Sequence, residues 1–232
     1  MKPRSWAVVP AAGSGRRMGA AVAKQHLLLC GRPLVAHALA PLLACTDIRA
    51  VVLVVAANDE HWRETVRPDD RLLFATGGAE RCHSVLNGLA ALGGLASPED
   101  WVLVHDAARP CLSVAELLRL FEAIGDDPIG GLLALPMSDT LKLGDEAGRV
   151  ASTAPRENFW RALTPQMFRY GLLRDALADA VSAGIAVTDE AAAMERAGHR
   201  PLLVEGAAAN LKVTGPADMD LAEAILRHRE KL

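Results

Sequence analysis

Residues 50–56 read AVVLVVA, with no polar side chain on either alternating face. A β-strand sends successive side chains to opposite faces, so a strand made from this run must be covered on both sides. Helices packed on the two faces of a sheet supply that cover. The rest of the first half agrees with this reading. Shorter apolar runs at 6–10, 72–75, 101–105 and 131–136 alternate with segments of helical spacing at 33–44, 80–92 and 113–124, the last opening on Ser113 as an N-cap. Alternating strands and helices joined by right-handed crossovers give a mostly parallel sheet. The expected fold is therefore α/β, Rossmann-like, with a mostly parallel sheet flanked by helices. At 232 residues a single domain can bury a large core without a disulfide or metal staple.

The pattern changes at about 138–159. Two short β-like pieces, 140–143 and 149–152, flank the loop GDEAG at 144–148, which reads as a hairpin. This stretch has too little apolar surface for a core of its own and is expected to project as a β-arm. Helices are expected at about 167–183 and 189–197, a strand at 202–205 and a last helix at 216–229. No internal repeat or low-complexity linker interrupts the chain, so one domain over 1–232 is expected.

The formal net charge is −3, which offers no basic face for a nucleic acid. No apolar run approaches a membrane span. Arg16 and Arg17 loosely mimic a twin-arginine signal, but Lys24, Gln25 and His26 break the apolar stretch that follows. Cys30, Cys45, Cys82 and Cys111 form no CxxC pair and no zinc-finger spacing, as expected of reduced thiols in a cytoplasmic protein.

Directly after the first strand comes PAAGSGRRMG at 10–19. In open α/β sheets ligands bind beyond the carboxyl ends of strands. Glycines there let backbone N–H groups approach phosphate oxygens, and Arg16 and Arg17 add forked cationic donors. Lys24 follows within reach of the same anion. The loop lacks the GxxxxGK[ST] of a P-loop. Its GxGxxxG spacing is one residue too long for the dinucleotide fingerprint, and no acid stands about 20 positions on.

A second focus is VHDAARP at 104–110. Asp106 ends a buried strand on the same rim, where a single carboxylate can hold Mg2+ whose other ligands are waters and substrate phosphates. Arg109 could pair with Asp106 or grip a second phosphate. His105 reads as structural. A third loop, Gly77, Gly78, Ala79, Glu80 and Arg81, permits close backbone approach to a flat base, with Ser84 as a donor. It reads equally as an ordinary helix N-terminus with Glu80 on the dipole.

Taken in order, PAAGSGRRMG, the pair Lys24 and Gln25, GGAERCHSV, VHDAARP, LTPQMF, TDEAAAME and NLKVT resemble the 2-C-methyl-D-erythritol 4-phosphate cytidylyltransferase family, from Val8 to about Leu221. The resemblance implies Mg2+-dependent transfer of CMP from CTP to methylerythritol phosphate, with release of pyrophosphate. By motif position it implies that Arg17 and Lys24 stabilise charge at the α-phosphorus and that Asp106 holds the metal. Ala11, Ala12, Gly13, Gly15, Gly77, Gly78 and Ser84 would bind the nucleotide. Arg109, Thr140, Arg156, Thr164, Thr188 and Lys212 would surround the methylerythritol phosphate. It further implies a homodimer clasped through the arm, with Arg156 supplied by the neighbouring subunit. Ala79, His26 and Gly215 depart from residues common in the family, and none of the three removes a needed charge.

Within that class another polyol phosphate, such as ribitol phosphate, is the alternative acceptor. A nicotinamide-dependent oxidoreductase is the distant alternative, opposed by the missing acid at the ribose position. A non-catalytic nucleotide-binding module would not need a metal ligand opposite two cations.

Overall fold

The computed structural model describes residues 3–13 and 23–229. The chain opens with β1 (Ser5–Pro10), a 3-10 turn at Lys24–His26 and a small hairpin of β2 (Leu28–Leu29) and β3 (Arg32–Pro33). It continues through α1 (Leu34–Ala44), β4 (Ile48–Val55), the short α2 (Trp62–Thr65), β5 (Leu72–Thr76) and α3 (Arg81–Ala91). Then come β6 (Trp101–Val104), α4 (Val114–Ile124) and β7 (Gly130–Pro136). The arm consists of β8 (Leu141–Gly144) and β9 (Val150–Ala154), and it leads into β10 (Trp160–Arg169). The chain closes with α5 (Tyr170–Ser182), α6 (Glu190–Arg196), β11 (Leu202–Glu205) and α7 (Pro216–Arg229).

Among the described residues, seven strands form one sheet in the order β11-β7-β10-β6-β1-β4-β5. Only β10 runs against its neighbours β6 and β7; the other pairings are parallel. The run at 50–56 is buried on both faces as its sequence requires. Val51, Leu53 and Val55 join one core layer with Leu39 of α1 and Leu117 of α4. Ala50, Val52 and Val54 join the other with Val85 of α3 and Leu173 of α5. Val8 of β1 stands between Val52 and Val104, its partners on either side. Ser113 caps α4 through a capping box: its hydroxyl accepts from Glu116 N at 3.3 Å, and Glu116 Oε2 accepts from Ser113 N at 3.2 Å.

The sequence pattern misplaced one element. Residues 167–169, expected to open a helix, end β10, and the helix begins at Tyr170. The expected arm also ran to 159, directly against the start of β10, which the sequence reading did not foresee as a strand. Pro165 explains the miss. Proline has no N–H for a ladder and argues against a central strand. Here the register of β10 against β7 shifts between Ala162 and Gln166, and Pro165 sits in that irregularity. No helix among the described residues is long and apolar enough to cross a membrane.

Candidate active site

Six of the seven strands end at a common rim, where the chain leaves β1 at Pro10, β5 at Thr76 and β6 at Val104. The loops that follow enclose a cleft of about 290 Å3. Ala11, Ala12, Gly13, Gly78, Ser84, Lys24, Asp106 and Lys212 all line it. The sequence motifs therefore converge although they come from distant parts of the chain. Arg17 and Gly15 lie outside the described residues.

The floor is built by backbone contacts. Gln25 Nε2 donates to Ala11 O at 2.7 Å, which ties the residue after Lys24 to the end of β1. Gly77 N donates to Val55 O at 2.8 Å, and a Cβ on Gly77 would collide with the Cβ of Ala12. Gly77 thus stands behind the cleft and lets the loops after β1 and β5 touch. Ser84 Oγ accepts from Gly78 N and donates to Glu80 O, both at 3.1 Å. Its proton is committed to the loop, so the hydroxyl shapes Gly78 rather than offering a donor outward.

Opposite this floor lies a charge cluster. Asp106 is buried, with a relative exposure of 7 %. Arg81 donates to its Oδ1 from Nε at 3.2 Å and from Nη2 at 3.1 Å. Lys212 Nζ stands 2.7 Å from Oδ2, and Arg109 Nε is 3.9 Å from the same oxygen. Burial alone would raise the Asp106 pKa, but Arg81, Lys212 and Arg109 together hold it well below the usual carboxylate range. The group is an anion at any physiological pH, surrounded by an excess of cations. Lys24 donates from Nζ to Val213 O, next to Lys212, at 2.7 Å. Val213 N in turn donates to Ala108 O at 2.8 Å, so one short segment gathers both lysines beside the loop after β6.

Arg109 and Thr164 lie beneath the cleft rather than in it. Arg109 donates from Nη1 to Asn210 O at 2.8 Å and from Nη2 to Ala162 O at 3.3 Å. Its Nε is buried and has no hydrogen-bond partner among the described residues. Thr164 Oγ1 accepts from Asp106 N at 3.1 Å and contacts His105 Nδ1 at 2.9 Å. His105 belongs to this support, as its sequence position suggested. Thr140, Arg156 and Thr188 are exposed and do not line the cleft. Arg156 instead donates to Ser138 O at the base of the arm. Arg81 was missed as a site residue. Its signal was its place directly after the Gly77–Gly78 loop, which points its side chain across the rim.

Two sets of side chains among the described residues offer donors to a divalent cation. Glu80, Cys82 and His83 offer ligand atoms within 4.8 Å of one another, but thiolate and imidazole suit zinc-type ions rather than Mg2+. Asp106 is a lone ionised carboxylate, the donor that Mg2+ takes when phosphates and waters complete its shell. Lys212 shares Oδ2 through a side chain that is 41 % exposed. The residues fit Mg2+ that arrives with phosphates.

A Rossmann-like sheet with this cation-rich, glycine-floored cleft at its strand ends defines a nucleotidyltransferase type of α/β protein. Comparison with known proteins narrows the class. The sequence model of the 2-C-methyl-D-erythritol 4-phosphate cytidylyltransferase family matches residues 6–228, and the chain belongs to that family. The protein of that name from Dechloromonas aromatica is 52 % identical over 98 % of this chain and 100 % of its own length. That from Pseudomonas aeruginosa is 52 % identical over 94 % of each. Among solved structures, a 4-diphosphocytidyl-2C-methyl-D-erythritol synthase superposes with a TM-score of 0.86 at 36 % identity, covering 97 % of this chain and 100 % of the other. The Thermus thermophilus 2-C-methyl-D-erythritol 4-phosphate cytidylyltransferase superposes with a TM-score of 0.79 at 33 % identity, covering 97 % and 99 %.

Proposed function

We propose that this chain, working as one domain over residues 1–232, transfers CMP from CTP to 2-C-methyl-D-erythritol 4-phosphate. The products are 4-diphosphocytidyl-2-C-methyl-D-erythritol and pyrophosphate. The observation that carries the reading is the cleft itself, in which Lys24, Lys212 and Asp106 meet the glycine loops that follow β1 and β5. A phosphate oxygen of the acceptor attacks the α-phosphorus in line. The new P–O bond forms as the bond to the bridging oxygen breaks, and pyrophosphate leaves with that electron pair. A phosphate monoester is already an anion at neutral pH, so no general base is needed. The obstacle is repulsion between two polyanions, which fixed cations lower by position and charge.

Ala11, Ala12, Gly13, Gly15 and Gly78 bind the nucleotide with backbone groups, while Gly77 and Ser84 hold that floor in shape. Arg17 and Lys24 stabilise charge at the α-phosphorus. Lys212 faces the acceptor phosphate from the cleft wall, Arg109 and Thr164 support that side from beneath through Asp106, and Thr188 joins the acceptor side from outside the cleft. Asp106 would hold Mg2+ together with phosphate oxygens, and the bound ion would supply neutralisation of phosphate charge.

The remaining acceptor residues come from a second copy of the chain. Leu143, Val150 and Phe159 on and beside the arm are 62 %, 64 % and 52 % exposed, apolar surface available to a partner. A homodimer that covers them accounts for Arg156 and Thr140, which lie beside the arm and outside their own cleft, as residues supplied to the partner's cleft. The four free cysteines support a reducing compartment, the cytoplasm.

The test is pyrophosphate release from CTP and Mg2+ with methylerythritol phosphate and ribitol phosphate assayed side by side. Methylerythritol phosphate is expected to be the better acceptor. Faster release with ribitol phosphate would move the chain to that acceptor, and release with neither would refute the reading.

A further inference from the structure

Glu190 is completely buried, with a relative exposure of 0 %, at the first position of α6. Arg81 opens α3. Arg81 donates from Nη1 to Glu190 Oε1 at 2.6 Å and from Nη2 to Oε2 at 3.0 Å. The same guanidinium donates to Asp106 Oδ1 from Nε and Nη2. One planar fork is therefore shared between two carboxylates, a geometry that lysine cannot reproduce.

Glu190 has a rigid mount. Asp189 caps α6 by accepting from Ala192 N at 2.9 Å. Gln166 of β10 donates from Nε2 to Asp189 Oδ2 at 2.9 Å and accepts from Ala191 N at 2.8 Å. The chain of contacts runs from the sheet through α6 to Glu190, then Arg81, then Asp106. Because Arg81 takes Oδ1, Oδ2 is left facing Lys212 Nζ at 2.7 Å. A buried ion pair is a poor source of net stability, since removing its charges from water offsets most of their attraction. Fixing one orientation of the Asp106 carboxylate is a use that this geometry does serve.

We propose that Arg81 and Glu190 are positioning residues: Glu190 holds Arg81, and Arg81 holds Asp106 so that Lys212 is aligned on the acceptor side of the cleft. The proposal rests on the reaction proposed above. The side-chain contacts of the pair reach Asp106 and, through it, Lys212, and none of them reaches the backbone floor after β1 and β5 that binds the nucleotide, so its loss is expected on acceptor alignment and not on metal-free nucleotide binding.

The experiment uses the full-length protein. Removing Arg81 alone would strand a buried carboxylate, so the main variant is Arg81→Met with Glu190→Met, which replaces the pair by apolar side chains. Glu190→Gln, which keeps size and one acceptor, is measured beside it. CTP affinity is measured directly in the absence of Mg2+, so that it reads the backbone floor and not the metal at Asp106, and kcat and KM are measured with Mg2+ against methylerythritol phosphate. Both variants are expected to keep CTP affinity within about twofold while kcat/KM for the acceptor falls by roughly 10²-fold in the double variant, the scale of a misplaced reacting group. Wild-type kcat/KM for the acceptor in either folded variant would overturn the proposal, and so would a parallel loss of CTP affinity. A wild-type protein that binds CTP but releases no pyrophosphate with any acceptor would instead overturn the functional reading beneath it.

Discussion

Thr164 Oγ1 stands 2.9 Å from His105 Nδ1, a contact between residues 59 positions apart. His105 is fully buried, and burial lowers its pKa to about 4, so the ring is neutral at neutral pH. Its Nε2 faces Arg109 O at 3.1 Å, a group that can only accept, which places the single ring proton on Nε2. Nδ1 must then accept from the Thr164 hydroxyl, and Thr164 Oγ1 accepts from Asp106 N at 3.1 Å. Thr164→Val keeps the shape and breaks both bonds. It is expected to destabilise the protein by about 1–3 kcal/mol for each group left unpaired, measured by urea unfolding. Thr164→Ser should stay close to wild type.

Asp100 offers a test by pH. Its carboxylate accepts from Arg4 N at 2.9 Å, Trp6 Nε1 at 3.1 Å and Ser97 N at 3.0 Å. Burial alone would raise its pKa, but these donors outweigh it and hold the group below its ordinary 3.8. A carboxyl whose folded pKa is depressed binds its proton first in the unfolded chain. Its contribution is therefore present above the ordinary value and is lost as the pH falls through and below it. Asp100→Asn should lower stability near neutral pH by about 1–3 kcal/mol and flatten the acid limb of the unfolding free energy relative to wild type.

Lys24 and Arg17 are the proposed cations at the reacting phosphorus. Lys24→Ala and Arg17→Ala should each slow pyrophosphate release by roughly 10²–10³, the cost of about 3–4 kcal/mol for losing one preorganised donor. Circular dichroism should show the fold unchanged, since Lys24 is only half-buried on a short turn. Near-normal turnover in both variants would remove them from the mechanism.

Arg156 tests the proposed shared site. Lys24→Ala and Arg156→Ala homodimers should both be nearly inactive. Unfolding and refolding a mixture gives hybrid dimers in which one cleft carries both losses and the other carries neither. With random pairing the mixture should recover roughly a quarter of wild-type activity. No recovery would place Arg156 outside the partner's site.

Much of the fold was legible because its causes are local. The two-sided apolar run at 50–56, the Ser113–Glu116 cap and the glycine loops after β1 and β5 each follow from a few neighbouring residues. Asp106 could be placed at the rim because it comes two residues after the end of a buried strand. The strand β10 was not legible. Pro165 argues against a central strand, and only the sheet's register shows how it is accommodated between β6 and β7.

The sequence by itself determined the doubly covered sheet, the rim on which the loops fall and the kinds of charge available there. Periodicity, capping and turn chemistry act over a few residues, so they can be read along the chain. Tertiary structure alone decided that Arg81, Lys212 and Arg109 share one carboxylate, that Glu190 stands behind Arg81, and that Thr164 spends its hydroxyl on His105. Those pairings depend on strand order and on which helix end meets which loop, and in a buried site a few ångströms of register separate a paired charge from a stranded one.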